Sequence, residues 1–189
     1  MSISRGLRNN NPLIINQSSP DPWEGLEGND PDGLLIFNTD IDGLRAGMIN
    51  LYKGYYWRGP TIRQLSERYL PDDPVYNQVM SAELSRHLEL DEDVSIPDEK
   101  WKDVPCVVAY FASGWECDLD KINQAVERLP SDNMKDLFRN AKEYKPFAPA
   151  VKAVNDKKSF FEKYKTFLIY GGIGLLLLLL LVALRKKKK

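Results

Sequence analysis

The chain is poor in the residues that build metal and nucleophile sites: among 189 residues there are two cysteines, Cys106 and Cys117, and one histidine, His87. Neither C-x-x-C spacing nor a histidine cluster is present, so no metal site and no cofactor is expected. With a single histidine, a histidine-based triad has little support in the chain. On a single helix the two cysteines would sit about three turns apart, too far for an intrahelical disulfide. His87, in S-R-H-L-E, reads as a helix-surface residue.

Excess positive charge is also missing from most of the chain. The formal net charge is -1, yet Arg185 to Lys189 are all basic, which leaves the first 184 residues at -6. An acidic body does not suit a nucleic-acid-binding domain. The short basic tail suits a stop-transfer flank, with contact to anionic lipid or to a packaged genome as the functional reading.

Long apolar runs are absent until Phe167, and then one appears. Phe167 to Leu184 reads FLIYGGIGLLLLLLLVAL without a charge. At 1.5 Å per residue it spans about 27 Å, close to the thickness of a hydrocarbon core. Tyr164 and Tyr170 lie near one end, where amphipathic rings suit the headgroup level. The N-terminus MSISRGLRNNNP has no apolar signal region, so the C-terminal span is expected to be retained as a single-pass anchor in a virion internal membrane or host inner membrane. Lysines on both flanks, Lys157, Lys158, Lys163 and Lys165 against the tail, leave its orientation open.

The organisation expected from this pattern is a soluble helical domain over 1–144, a stalk over 145–165, a transmembrane helix over 166–185 and a basic tail over 186–189. The first forty residues are rich in Asn, Asp, Pro and Gly and read as ordered loops, with Leu34 to Phe37 as one short extended piece. Helical spacing then begins: Leu44, Met48, Leu51 and Tyr55 behind an Asp42 cap; Ile62, Leu65 and Tyr69 from Thr61 to ahead of Pro71; Val75, Val79, Leu84 and Leu88 from Pro74. Val104 to Trp115 reads as the central buried helix, a fifth starts at Asp118 or Asp120, and Ser131 caps a sixth. The fold class implied is mostly α, a compact helical domain able to form its own core.

The order SRGLRNNNP, W-E-G-L-E-G-N-D-P-D-G, GLRAGMINLYKGY and GPTIRQLSERYLP, over residues 4 to 116, resembles a family of phage and prophage virion structural proteins. Its members carry an R-N-N-N-P start, a W-x-G segment, a G-I/L-R-A helix and a T-I helix ending in R-x-x-P. The resemblance implies a lysozyme-like domain, capsid proteins as partners, and an association with peptidoglycan or with delivery into the host. The chain departs from the pattern at Leu13, Ile14 and Ile15, where relatives have Gly-Asn after the proline. The relatives' Glu-Asn-Gly stretch falls here at Trp115-Glu116-Cys117.

Sugar cleavage requires a carboxylic acid that stays protonated near neutral pH. Glu116, after Trp115 at the end of an apolar helix, is the expected acid of a lytic transglycosylase or muramidase. A hydrolase would want a second carboxylate, for which Glu24 and Glu27 behind Trp23 are the candidates. Asn9, Asn10, Trp23 and Tyr56 are the candidate sugar-contacting residues, within an aromatic cluster of Tyr52, Tyr55, Tyr56 and Trp57 that otherwise closes the core. Arg45 and Arg68 read as anchors to loop carbonyls. The function expected is a membrane-anchored phage virion protein organising the capsid-membrane interface or genome delivery, with peptidoglycan cleavage as an added activity; the alternative is a non-catalytic bacterial tail-anchored scaffold.

Overall fold

The computed structural model describes residues 4–16, 23–69 and 74–146, with the side chain of Val75 left aside. The stalk beyond Pro146, the apolar run and the basic tail lie outside the described residues. Among the described residues no helix is long and apolar enough to cross a membrane. One compact unit takes in Met1–Pro146, and it is mostly helical.

Its elements run α1 (Arg5–Arg8), β1 (Leu26–Asn29), β2 (Leu35–Phe37), α2 (Asp40–Gly54), α3 (Ile62–Tyr69), α4 (Pro74–Leu88), α5 (Val104–Ser113), α6 (Leu119–Glu127) and α7 (Asp132–Phe138). Short 3-10 turns precede α3 and α5, at Tyr56–Arg58 and Asp98–Asp103. α5 is apolar on nearly every face, from Val104 through Phe111, as a helix at the centre of a core must be. α1, α2 and α4 pack around it. α6 and α7 close the far side of α2.

The caps explain most helix boundaries. Thr61 and Gln64 exchange side-chain and backbone hydrogen bonds of 3.2 Å at the start of α3, a reciprocal capping box. The Asp118 carboxylate accepts from the N–H groups of Asp120 and Lys121 at α6, and the Ser131 hydroxyl from Met134 N–H at α7. α2 starts earlier than the sequence suggests. Thr39, not Asp42, is its cap, and Asp42 sits inside the first turn. α5 stops at Ser113 because Gly114 takes a left-handed conformation at φ 77°, so Trp115 and Glu116 lie beyond the helix.

The N-terminal forty residues carry more regular structure than their composition predicts. α1 is a single turn capped by Ser4. β1 and β2 form an antiparallel hairpin in which Leu26 faces Phe37 and Asn29 faces Leu35, with an irregularity between Leu26 and Gly28. The other edge of β2 is held by the N-terminal loop, through Leu35 N–H to Ile15 O at 3.0 Å and Phe37 N–H to Asn9 O at 2.9 Å. Leu13 and Ile15, at the point of departure from the resembled family, are both buried. Here apolar side chains fill the core beside Gly47, where an added Cβ would lie 2.2 Å from Leu13 Cδ1.

A disulfide joins Cys106 to Cys117. It is not intrahelical, because Cys117 lies past the Gly114 turn, on chain that folds back along the helix.

Candidate functional site

The three asparagines that end the N-terminal turn are occupied by the fold. Asn9 is buried and its amide donates to Asp30 Oδ2 at 2.9 Å. Asn10, held at φ 49°, donates to Phe37 O at 2.9 Å and Asn38 O at 3.2 Å. Asn11 is fully buried and spans Ile15 O, Leu35 O and Ile15 N–H. These bonds stitch loop to hairpin and engage both amide donors of Asn10 and one of the buried Asn9. Arg5 forks onto Asp30, and its hydrogen bonds, helped by Asn9 and the Leu34 N–H, hold that carboxyl well below the ordinary carboxylate range.

The carboxylates behind Trp23 are also placed for structure. Glu24 contacts Arg45 at 3.2 Å and Arg128 at 3.5 Å. Arg128 lies 2.6 Å from Asp42 Oδ1, off the hydrogen-bond axis, so that contact is electrostatic. The buried Asp42 also accepts from the Thr39 hydroxyl at 2.7 Å, and Arg45 Nε donates to Arg128 O at 2.7 Å. Arg45 is thus the carbonyl anchor its position suggests. Two acids and two arginines tie the Trp23 loop to α2 and to the end of α6. Glu27 is exposed on β1. Trp23 itself is buried, with its indole N–H enclosed, and offers no ring face to a substrate.

Glu116 is exposed rather than set in the apolar end of α5, so the burial on which its candidacy as an acid rested is not found. Trp115 beside it is 5% exposed and turns inward. The charge of Glu116 acts on Tyr110, whose hydroxyl is pushed up first by burial and then by Glu116 and Glu83. Among the described residues no group of three or more His, Cys, Asp or Glu is placed to hold a metal ion.

The aromatic cluster is where a chemically open surface remains. Tyr52 and Tyr56 stack with ring centres 5.3 Å apart and planes 12° from parallel. Trp57 meets Tyr52 edge-on at 5.3 Å and Tyr56 at 5.1 Å, and Tyr56 meets the buried Trp101 at 5.6 Å. Tyr52 closes the core as expected, joined there by Trp101, but Trp57 is 67% exposed. Burial and then a hydrogen bond to Asp98 push the Tyr56 hydroxyl up, so its donor is directed at that carboxylate. The 3-10 turn bearing Tyr56 and Trp57 ends at Gly59 in a left-handed conformation. Across from it, Ser95 Oγ donates to Gly59 O at 3.1 Å and Ile96 N–H to Pro60 O at 3.1 Å. Trp57 is thus a largely exposed ring that packs on Tyr52 and Tyr56.

Comparison with protein-family models and with curated proteins returns no match for this chain.

Proposed function

We propose that this chain is a membrane-anchored virion protein of a membrane-containing phage, whose lysozyme-like domain holds glycan at the capsid-membrane interface or during genome delivery and does not cut it. The observation that carries the reading is Trp57, a large ring kept in water on a rigid aromatic base. Exposing an indole forgoes about 2 kcal/mol of burial, and an exposed aromatic ring is a surface on which a pyranose can stack. Glu24 bound by two arginines and Glu116 in open solvent support binding over cleavage. The order of motifs over residues 4 to 116 supports the virion assignment, with capsid proteins as partners. Phe167 to Leu184 supports a single-pass C-terminal anchor, and the basic tail supports contact with anionic lipid or packaged genome.

The full chain in detergent micelles should co-sediment with purified peptidoglycan sacculi, and Trp57→Ala should weaken that binding by up to about tenfold, the loss of a ring contact worth about 1.5 kcal/mol, with melting unchanged. A zymogram should show no clearing. Clearing that is abolished by Glu116→Gln would restore the transglycosylase reading. Equal binding by wild type and Trp57→Ala would remove the platform, and no binding at all would favour the bacterial scaffold.

The anchor has its own test. The full chain should stay with the membrane pellet after carbonate extraction, and a chain ended at Pro146 should appear in the supernatant. Retention of the shortened chain in the pellet would place a membrane contact within the helical domain.

A further inference from the structure

The chain leaves the helical domain through residues 140–146, and this exit is fastened by one inserted side chain. After α7, Arg139 and the left-handed Asn140 (φ 63°) turn the chain back across the domain. Lys142, Glu143 and Lys145 are exposed, whereas Tyr144 between them is 4% exposed. Its hydroxyl donates to Glu83 Oε2 at 2.9 Å, and its ring meets His87 edge-on at 5.3 Å and Tyr110 at 5.6 Å. Two further bonds hold the segment's backbone: Lys142 N–H to Asp103 Oδ1 at 2.6 Å and Arg86 Nη2 to Lys145 O at 3.1 Å. Glu83 is itself buried and accepts from Arg86 at 2.9 and 3.2 Å.

We propose that residues 140–146 form an acid-released strap, with the half-buried His87 on α4 as its trigger and Tyr144 as its latch. Opening the strap undocks residues 140–146 from the helical domain. The enclosed His87 Nε2 has no hydrogen-bond partner, so a proton placed there would add a charge and an unsatisfied buried donor together. The groups facing it are Arg86 and Glu83 from α4, Asp103 from the turn before α5, and Lys142 and Tyr144 from the strap. Arg86 and Lys142 repel an imidazolium. Asp103 and Glu83 attract it, but their oxygens already accept from Lys142 N–H, Arg86 and Tyr144. Burial is the largest influence and lowers the affinity of His87 for its proton.

The sign follows from linkage. With the strap open, His87 titrates near its ordinary value of about 6.5; with the strap closed it binds its proton only at lower pH. Closure is therefore fully favoured above about 6.5 and loses ground as pH falls through that value.

His87 is the chain's single histidine, so its titration can be followed without assignment. The full chain in detergent micelles should show an imidazole NMR titration midpoint below 6.5. Amide exchange of residues 141–146, corrected for the intrinsic pH dependence, should accelerate at least tenfold between pH 7.5 and pH 5.0. In His87→Phe, which keeps a ring against Tyr144 and cannot titrate, the corrected rates should match at the two pH values. A midpoint at or above 6.5 in the wild type overturns the proposal whether or not the variant folds. So does equal acceleration in His87→Phe.

Discussion

Gly43→Ala should destabilise the helical domain by about 3 kcal/mol or more, although residue propensity predicts the reverse. Glycine within a helix costs roughly 1 kcal/mol relative to alanine, so on local grounds the change should help. The packing decides otherwise. A Cβ on Gly43 would lie 1.9 Å from Asn10 O, 2.9 Å from Asn10 C and 3.0 Å from Asn11 Cα, all backbone atoms that cannot rotate aside. Nor can the loop withdraw as a whole, because Asn10 and Asn11 are bonded to Phe37, Asn38, Ile15 and Leu35. The contact makes the first turn of α2 and the N-N-N loop a single unit. Gly54→Ala, near the other end of the same helix, is the control. Its Cβ would meet only Asn50 Oδ1 at 3.8 Å, so stability should be unchanged or rise by up to about 1 kcal/mol. Thermal melts of both variants separate the two effects, and a Gly43→Ala midpoint equal to wild type would show that the loop yields freely.

The helical half of the fold was legible because its signals are local. Thr61, Asp118 and Ser131 cap helices at the positions their spacing suggests, and Pro74 marks a start through the backbone alone, whereas the apolar spacing runs on through the left-handed stop at Gly114 to Trp115. The hairpin was not legible. Its strands are short and interrupted by Gly28, and β2 owes half its hydrogen bonding to Ile15 and Asn9, a loop read as irregular. The same distance in sequence hid the partners of the site residues. Glu24 looked like a spare carboxylate because Arg128 reaches it from the end of α6, and His87 looked exposed because Tyr144 covers it from beyond α7. Trp57 failed in the other direction. Its neighbours Tyr52 and Trp101 do enter the core, and which ring of an aromatic run stays outside depends on a 3-10 turn that periodicity does not encode.

Breaking the Cys106–Cys117 bond, by reduction or by Cys106→Ala with Cys117→Ala, should cost about 3 kcal/mol, which lowers the melting midpoint by roughly 10 °C for a domain of this size. The disulfide closes a short loop, with 11 residues of sequence separation. Closing a loop of that length removes about 3 kcal/mol worth of disorder from the unfolded chain. It acts at a sensitive point, since Cys106 is fully buried in α5 and the loop it closes carries the inward-turned Trp115 and leads into the Asp118 cap of α6. Melts with and without reductant should differ for the wild type and coincide for the double variant. Coincidence in the wild type would mean that the bond adds nothing to the folded state. A bridge of this kind persists on the oxidising side of a membrane, whereas a basic flank is retained on the reducing side. The disulfide thus predicts oxidising surroundings for the helical domain, while lysines on both flanks leave the orientation of the proposed anchor open. Alkylation of cell fractions before any reduction tests that directly: Cys106 and Cys117 should be unreactive because they are paired, and two free thiols would place the helical domain in reducing surroundings.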